Sequence, residues 1–478
     1  MGITIKIPSP LRRFTESQRS VEVDANNVGD ALRELVSKHG ELGVHLCAGD
    51  NQLRSFINIY VGGEDIRYRE GLKTELTDGD EIMIIPSVAG GSGGGESISN
   101  NGFSRDEYLR YSRHFTLPEI GLGGQRKLKE ASVLIIGAGG LGSPISLYLA
   151  AAGVGRLGLV DFDRVELSNL QRQVIYTTDD IGESKLDATK KRLLAGNPNL
   201  EITTHEVPFT STNALDIATD YDIIIDGTDN FPTRYLVNDV SAFLNKPNIY
   251  GSIFQFEGQL SIFNANSGPC YRCLYPEPPP PGLVPSCAEG GVLGVLPGIV
   301  GSLQATEAIK LITGVGDPMI GRLLIFDALA MTFTEVALRK NPDCPLCGKN
   351  PTITELIDYE GFCGVSSSAE TVTVPEITVT EVNEILSNGN GAYLLDVREK
   401  WETEIAKIDR ANLIPLGEIP DRAKELNPSS EIIVHCKSGV RSAKAVEYLI
   451  RQGFTNVKNM RGGILAWADQ IDSSLNKY

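Results

Sequence analysis

Glycines and charged residues in the middle of this 478-residue chain are spaced for nucleotide chemistry. The segment SVLIIGAGGLGSP places Gly137, Gly139 and Gly142 between an apolar strand and the start of a helix. A G-x-G-x-x-G loop in that position lets the backbone approach a phosphate closely at a helix N-terminus. The pattern alone leaves three interpretations open, namely a nicotinamide dinucleotide, ATP, and a tight turn that binds nothing.

The residues that follow this loop favour a triphosphate. Asp161 ends the next predicted strand, RLGLVD, where a carboxylate can accept hydrogen bonds from ribose hydroxyls. Arg172 and Lys185 come next, and two cations suit a triphosphate better than a pyrophosphate beside neutral nicotinamide. A third predicted strand ends in GTDN and offers Asp229 to a magnesium ion. Each cation taken singly has a plainer interpretation as a solvated surface charge.

Four cysteines have the spacing of a metal site. Cys270 and Cys273 form CYRC, and Cys344 and Cys347 form CPLC. Two C-x-x-C pairs supply four thiolates in a closed tetrahedral arrangement, which is typical of structural Zn²⁺. We therefore predict one structural zinc site per chain; the alternatives are a redox dithiol and buried thiols.

A further cysteine, Cys436 in EIIVHCKSGVRSAKA, falls where a predicted strand gives way to a helix. Backbone N–H groups of such a loop, the helix dipole and Lys437 or Arg441 would stabilise a thiolate or persulfide. Four residues separate Cys436 from Arg441, one fewer than in the C-x5-R loop of cysteine phosphatases, which favours a sulfur atom over a phosphate. The alternative is an inert buried cysteine. The predicted persulfide loop contains Lys437, Ser438, Gly439, Val440 and Arg441.

The elements that position these residues predict an α/β multidomain chain. ITIKI, SVEVD, a helical stripe from Val28 to Val36, FINIYV and EIMIIP fit a β-grasp, or ubiquitin-like, fold. Strand–helix units in the middle and at the end imply parallel sheets covered on both faces. GGSGGGESISNNG cannot build a core and is predicted to be flexible. The predicted boundaries are a first domain at 1–91, a linker at 92–102, a second domain at 103–355, a linker at 356–371 and a third domain at 372–478.

The composition of the chain indicates which classes of partner are disfavoured and which cellular compartment to expect. The net charge of −17 disfavours nucleic acid or an anionic membrane as the main partner. No apolar run reaches the length of a membrane span, and the start MGITIKIPSP lacks the apolar centre of a secretory signal. Eight cysteines, two pairs of them in metal-site spacing, indicate a reducing compartment, so we expect a cytoplasmic protein.

Over residues 103–350, the motifs GAGGLGS, DFDRVELSNLQRQ, GTDN, CYRC and CPLC resemble the MoeB/ThiF family of adenylating enzymes. The resemblance implies a Rossmann-like ATP-binding adenylation domain. Arg113, in LRYSRHF, matches an arginine that in this family reaches into the partner subunit's site, which implies a homodimer. The residues that the resemblance assigns to ATP are Gly139, Gly140, Asp161, Ser168, Asn169, Leu170, Gln171, Arg172, Lys185, Asp229 and Asn230.

The two flanking segments resemble other sulfur-handling families. LLDVRE, the Cys436 loop and GGILAW are similar to rhodanese domains over residues 372–478, and FINIYVGGEDIR and SVAGG resemble MoaD-like and CysO-like sulfur carriers over residues 2–91. Free carriers end at the second glycine, whereas Gly91 here continues into Ser92, so a separate protease must cut after Gly90-Gly91 before this domain can react. A domain kept uncut as a docking or autoinhibitory module is the alternative. Cys287, in VPSCAEGGV, matches a family cysteine assigned to a covalent carrier intermediate or to resolving an acyl disulfide.

Together these expectations describe an enzyme that uses ATP and Mg²⁺ to adenylate the terminal glycine of its own cleaved carrier or of a separate one. Cys436 persulfide, loaded by a cysteine desulfurase or thiosulfate, would then produce a thiocarboxylate. Two rivals remain: ubiquitin-like conjugation through a Cys287 thioester, and a nicotinamide oxidoreductase, which does not explain the four cysteines. The receiving pathway stays open between molybdopterin, thiamine, cysteine and tRNA thiolation, with the CysO likeness favouring cysteine.

Overall fold

The computed structural model describes residues 2–16, 18–47, 53–54, 57–86, 102–264, 268–280, 290–364, 374–388 and 391–477. Contacts divide the chain into two compact units, Met1–Gly102 and Phe103–Tyr478. Within the described ranges, no helix combines the length and apolar character needed to cross a membrane. The predicted linker at 92–102 lies outside these ranges except for Gly102.

The first unit is a five-stranded sheet in the order β2-β1-β5-β3-β4 with a helix packed on it, which confirms the predicted β-grasp. Strands β1 and β5 are parallel at its centre, and the other pairs are antiparallel. The Asn27 side chain caps the helix by accepting a hydrogen bond from the Asp30 N–H at 2.9 Å. The elements are β1 (Gly2–Lys6), β2 (Ser20–Asp24), α1 (Val28–Lys38), α2 (Gly43–Leu46), β3 (Ile57–Val61), β4 (Glu64–Asp65) and β5 (Glu81–Pro86).

The second unit begins with an eight-stranded sheet in the order β13-β12-β11-β10-β9-β6-β7-β8. Its strands are β6 (Ser132–Ile136), β7 (Arg156–Val160), β8 (Glu201–His205), β9 (Ile223–Asp226), β10 (Asn248–Phe254), β11 (Glu257–Phe263), β12 (Arg322–Asp327) and β13 (Thr332–Ala337). Its helices are α3 (Arg105–Arg110), α4 (Ser112–Phe115), α5 (Gly121–Glu130), α6 (Gly142–Ala152), α7 (Lys185–Gly196), α8 (Ala214–Thr219), α9 (Phe231–Phe243), α10 (Tyr271–Leu274), α11 (Leu296–Thr313) and α12 (Tyr359–Phe362).

The prediction of a parallel sheet covered on both faces is wrong for one side of this sheet. Strands β10 to β13 pair antiparallel, and every residue of β13 is exposed. Only two residues connect β10 to β11, too few for the crossover that parallel strands need, so the chain must turn back on itself. The parallel part, from β8 to β10, has β6, β7 and β9 as neighbours, and their carboxyl ends therefore share one edge.

The predicted linker at 356–371 starts too early. Tyr359 is buried, and its hydroxyl donates to Asp239 Oδ2 at 2.9 Å. The same carboxylate forms a fully buried ion pair with Arg272, and the Arg272 guanidinium lies 4.6 Å from the centre of the Phe362 ring. A buried guanidinium needs these partners because an unpaired charge in a core is costly, so this segment completes the fold of the eight-stranded region.

A third sheet, β14-β18-β17-β15-β16, is parallel throughout and has helices around it, as expected for the predicted rhodanese domain. Its strands are β14 (Glu376–Ile377), β15 (Tyr393–Asp396), β16 (Asn412–Leu413), β17 (Ile432–His435) and β18 (Val457–Met460). Its helices are α13 (Val379–Ser387), α14 (Lys400–Ile405), α15 (Ile419–Arg422), α16 (Val440–Arg451) and α17 (Gly463–Gln470). Strand β17 ends directly before Cys436, and α16 begins four residues after it.

Candidate functional site

The glycine-rich loop after β6 is shaped by close backbone contacts. Gly137 has φ 95°, and a Cβ on Gly142 would lie 2.0 Å from the carbonyl oxygen of Gly137. A Cβ on Gly137 would in turn approach the carbonyl oxygen of Gly227 to 2.8 Å. Glycine is therefore required at these positions, because any side chain would push the loop away from the neighbouring GTDN turn. The loop is held where a phosphate can reach its backbone.

A cavity of about 590 Å³ lies where the carboxyl ends of β6, β7 and β9 meet. Such a position, at the point where strand order reverses, is where open α/β sheets bind ligands. The residues predicted to bind ATP that line the cavity are Gly139, Gly140, Asp161, Arg172, Lys185, Asp229 and Asn230.

Four other predicted ATP residues, Ser168, Asn169, Leu170 and Gln171, are not among the described residues that line this cavity. They lie in and just after the short 3₁₀ turn Leu167–Asn169, and Arg172 follows them directly. Arg172 Nη1 donates to the Ser168 carbonyl at 3.0 Å, and its backbone N–H donates to the Asn169 carbonyl at 3.0 Å. In this structure the turn therefore positions the Arg172 guanidinium.

The charged residues of the cavity are held by short contacts. Asp161 accepts from the N–H of Ala138 at 2.8 Å and from that of Asp163 at 2.9 Å, one bond on each carboxylate oxygen. Each oxygen keeps a further lone pair for a ribose hydroxyl. Lys185, which is nearly buried, pairs with Asp163 at 2.7 Å. Asn230 caps α9 by accepting from the Thr233 N–H at 2.9 Å, while the Asp229 side chain is exposed to the cavity.

Asp226 and Arg234 lie beneath the GTDN turn and were not predicted from the sequence. Asp226 is fully buried at the end of β9 and accepts from the Thr228 N–H and hydroxyl at 2.9 and 2.6 Å. Arg234 Nη2 donates to the Thr228 carbonyl at 3.1 Å, and its Nε lies 3.6 Å from Asp226 Oδ2. Burial raises the pKa of Asp226, and the nearby guanidinium opposes that rise. The pair therefore fixes the turn that presents Asp229; a second carboxylate in IIID was the available sequence signal.

The four predicted metal ligands are brought together. All four sulfur atoms lie within 4.8 Å of one another, and Cys270 and Cys344 are fully buried. Sγ–Sγ distances of 3.4 Å join Cys270 to Cys344 and to Cys347, and 3.8 Å joins Cys270 to Cys273. Tetrahedral zinc with bonds of about 2.3 Å places its sulfur ligands about 3.8 Å apart. The residues present therefore suit a metal ion that prefers thiolates.

Cys436 lies in the loop directly after β17, and the residue is only 1% exposed. Its Sγ accepts from the Gly439 N–H at 3.1 Å and from the Ser442 hydroxyl at 3.3 Å. Ser442 was not predicted, although a hydroxyl one turn into a helix that follows a cysteine loop was visible in the sequence. Arg441 instead makes a bidentate pair with Glu402, both contacts being 2.7 Å. Arg441, one of the two cations expected beside the sulfur, is thus paired with a carboxylate.

Buried charged side chains lie beside β17, the strand that ends directly before Cys436. Asp396 and Arg398, both buried, form a bidentate pair with contacts of 2.9 and 2.6 Å. His435 lies next to them with Nε2 3.7 Å from Asp396 Oδ2. Burial lowers the pKa of His435, so this imidazole is neutral at physiological pH. Buried polar side chains therefore lie directly beside the strand that precedes the sulfur loop.

Three family models match the chain in order. They are the ThiS family at residues 5–91, the ThiF family at residues 111–346 and the rhodanese-like domain at residues 378–470. Probable adenylyltransferase/sulfurtransferase MoeZ of Mycobacterium tuberculosis is 48% identical over 383 residues, which cover 78% of this chain and 96% of MoeZ. Adenylyltransferase and sulfurtransferase MOCS3-2 of Zea mays is 43% identical, over 82% of this chain and 86% of that protein.

The chain belongs to the MoeZ/MOCS3 family of adenylyltransferase/sulfurtransferases. A sulfur carrier protein adenylyltransferase of Thermus thermophilus is 54% identical over 268 residues, which are 55% of this chain and 99% of that protein. Membership of the MoeZ/MOCS3 family makes this chain an enzyme that adenylates and transfers sulfur, with a sulfur carrier as its partner. The predicted activity and domain types are confirmed.

Some residues that a MoeZ/MOCS3-type enzyme is expected to use are not tested by the structure. Gly90, Gly91 and Cys287 lie outside the described residues. Arg113 is exposed on α4 and is not among the described residues that line the cavity in its own chain. Its predicted role in a partner subunit therefore stays a prediction.

Proposed function

We propose that this enzyme adenylates the terminal glycine of a sulfur carrier in the cavity after β6 and then displaces AMP with sulfur held on Cys436. The observation that supports this best is the arrangement of Arg172, Lys185 and Asp229 around one cavity at the end of a glycine-rich loop. Cations and loop N–H groups there can bind phosphate oxygens, while Asp229 provides exposed carboxylate oxygens.

In the adenylation step, a carboxylate oxygen of the carrier attacks the α-phosphorus of ATP and pyrophosphate leaves with the electron pair of the broken bond. Arg172 and Lys185 stabilise charge that develops on the phosphate oxygens, and Asp161 orients the ribose. Asp229 is suited to hold Mg²⁺, which supplies further positive charge at the phosphates when bound. The product is a mixed anhydride whose carbonyl carbon is electrophilic.

In the sulfur step, the terminal sulfur of a Cys436 persulfide attacks that carbonyl carbon and AMP leaves. The Gly439 N–H and the Ser442 hydroxyl, at 3.1 and 3.3 Å from Sγ, stabilise the Cys436 thiolate to which the sulfur is first transferred. The acyl disulfide is then split when the Cys287 thiolate attacks Cys436 Sγ, which releases the thiocarboxylate and leaves a protein disulfide. A dithiol reductant restores both thiols, and a cysteine desulfurase or thiosulfate reloads Cys436.

The carrier in this proposal is the chain's own first unit after proteolysis behind Gly91, or a separate carrier with the same ending. An uncut Gly91–Ser92 bond offers an amide carbonyl and no carboxylate, so it cannot attack phosphorus. Intact-mass analysis of the chain purified from its host tests this point. We expect a fragment ending at Gly91, shifted after incubation with ATP and thiosulfate by the mass of one sulfur in place of one oxygen.

Two substitutions separate the half-reactions. With a truncated carrier ending in two glycines, Asp229→Ala should lower ATP–pyrophosphate exchange by about 100-fold or more. The reason is that the Mg²⁺ ion proposed to offset the phosphate charge loses its carboxylate ligand. Cys436→Ala should keep exchange at the wild-type rate and form no thiocarboxylate. Asp216→Ala, an exposed aspartate on α8 outside the cavity, is the matched control. Full exchange by Asp229→Ala, or thiocarboxylate from Cys436→Ala, contradicts the assignment.

A further inference from the structure

Among the residues that the structure describes, one lining residue of the nucleotide cavity comes from the rhodanese domain. Every other described residue around it lies between Ile136 and Val292, within the region that matches the ThiF family. Lys444 is on α16, one turn after that helix begins, and its side chain is exposed. The helix that begins at the Cys436 loop therefore directs a cation into the site where ATP is proposed to bind.

Lys444 changes the charge balance of this cavity. Among the described lining residues from the adenylation domain, the carboxylates of Asp161, Asp163 and Asp229 face the cations Arg172, Lys185 and Arg234, and Arg234 also lies 3.6 Å from the Asp226 carboxylate beneath the cavity, so cations are not in excess there. Lys185 is already paired with Asp163 at 2.7 Å. Lys444 adds one further cation to the described lining, which favours binding of a polyanionic triphosphate.

Helix α16 connects Lys444 to the loop that holds the Cys436 sulfur. Cys436 Sγ accepts from the N–H of Gly439, the residue that caps α16. Lys444 follows the first helical residue by four positions, which is a rise of about 6 Å along the helix. A contact between Lys444 and the nucleotide phosphates therefore brings the Cys436 loop close to the activated carbonyl.

We propose that Lys444 binds the phosphates of ATP and of the acyl-adenylate, so that nucleotide charge holds the rhodanese domain against the adenylation domain. This inference rests on the proposed function of the cavity. Adenylation retains the contact through the α-phosphate, and departure of AMP after sulfur transfer removes it. The rhodanese domain is then released to be reloaded with sulfur.

Covalent labelling of the full-length protein tests the contact directly. In an acyl-phosphate derivative of ATP, an acyl group is joined to the γ-phosphate, and a nearby lysine amine attacks the acyl carbon to form an amide and release ATP. We expect peptide mass spectrometry to find acylation on both Lys185 and Lys444, suppressed by excess ATP. Lys424, an exposed lysine of the rhodanese domain outside the cavity, should show no labelling that ATP suppresses.

The labelling pattern distinguishes the two proposals. Acylation of Lys185 without Lys444 overturns the Lys444 contact and leaves the nucleotide site intact. Absence of ATP-suppressed labelling at both lysines overturns the nucleotide site and the contact together. Labelling of Lys444 that excess ATP does not suppress also overturns the contact, because it would then report only an accessible amine.

Kinetics provide a second test that does not depend on the probe. Lys444→Ala should raise the KM for ATP in pyrophosphate exchange about tenfold, which is the size expected for one lost hydrogen bond to a charged group. Lys444→Arg should restore most of the affinity, and Lys424→Ala should leave the KM at the wild-type value. An unchanged KM in Lys444→Ala overturns the proposal.

Discussion

At the scale of single residues, hydrogen-bond donors around Cys436 decide how its sulfur is held. The Sγ atom has a backbone and a hydroxyl donor, while the neighbouring guanidinium of Arg441 is engaged by Glu402. The Ser442 hydroxyl has a single proton to donate, and its Oγ atom also lies 2.7 Å from a second acceptor, Asn459 Oδ1. When the sulfur is an anion it is the stronger acceptor, so the proton is drawn toward Cys436.

Replacement of this donor should weaken sulfur transfer. We expect Ser442→Ala to lower kcat/KM for thiosulfate-to-cyanide transfer about tenfold, because one hydrogen bond to a charged sulfur is lost. Ser429→Ala, an exposed serine before β17, controls for loss of a hydroxyl. Wild-type kinetics in Ser442→Ala would remove this serine from the mechanism.

At the scale of elements, the four cysteines join segments that are distant in sequence. Cys270 and Cys273 flank the start of α10, beyond β11, whereas Cys344 and Cys347 follow the exposed edge strand β13. A bound metal would fix the end of the sheet to α10 and α9, beside the buried pair of Arg272 and Asp239. A cross-link of this kind stabilises a fold because the unfolded chain loses it.

Removal of the metal should therefore destabilise the adenylation domain first. We expect one zinc ion per purified chain by elemental analysis, and chelation should lower the melting temperature of that domain by about 10 °C, equivalent to roughly 3 kcal/mol. The two tryptophans, Trp401 and Trp467, both lie in the rhodanese domain, so their fluorescence reports on that domain alone. The zinc prediction fails if no metal is found. It also fails if chelation shifts the tryptophan transition of the rhodanese domain and leaves the melting transition of the adenylation domain unchanged.

At the scale of the whole molecule, the predicted homodimer would complete each active site with an arginine from the partner subunit. Arg113 is exposed on α4, which follows α3 at the start of the second unit. An arginine contributed in trans would add positive charge at the phosphates without changing the fold of either subunit. Symmetric dimers allow such exchange because each subunit presents the same surface to the other.

Mixing two inactive variants tests the exchange. If subunits from Arg113→Ala and Asp229→Ala are unfolded together and refolded, half of the dimers contain one of each, and one of their two sites has both residues. We therefore expect about a quarter of wild-type pyrophosphate exchange from the mixture. The separate variants, refolded in the same way, should remain nearly inactive. Activity no higher than theirs would show that Arg113 does not act across the dimer.

The sequence by itself determined the parts of this protein that depend on local order along the chain. Gly137 and Gly142 sit between a strand and a helix, the C-x-x-C pairs have metal-site spacing, and the Cys436 loop joins β17 to α16. Such patterns can be recognised without tertiary structure because backbone geometry and coordination chemistry constrain residues that are close together in sequence.

Tertiary structure decided the features that depend on distant partners. Burial paired Asp226 with Arg234 and Glu402 with Arg441, although nothing in their spacing specifies those pairs. Antiparallel pairing of β11 to β13 and the packing of Tyr359 overrode the predicted parallel sheet and linker. Likewise, only folding placed Lys444 beside Asp229 and Arg172 around one cavity. The reason is physical, because a buried charge takes whichever partner the fold brings within reach.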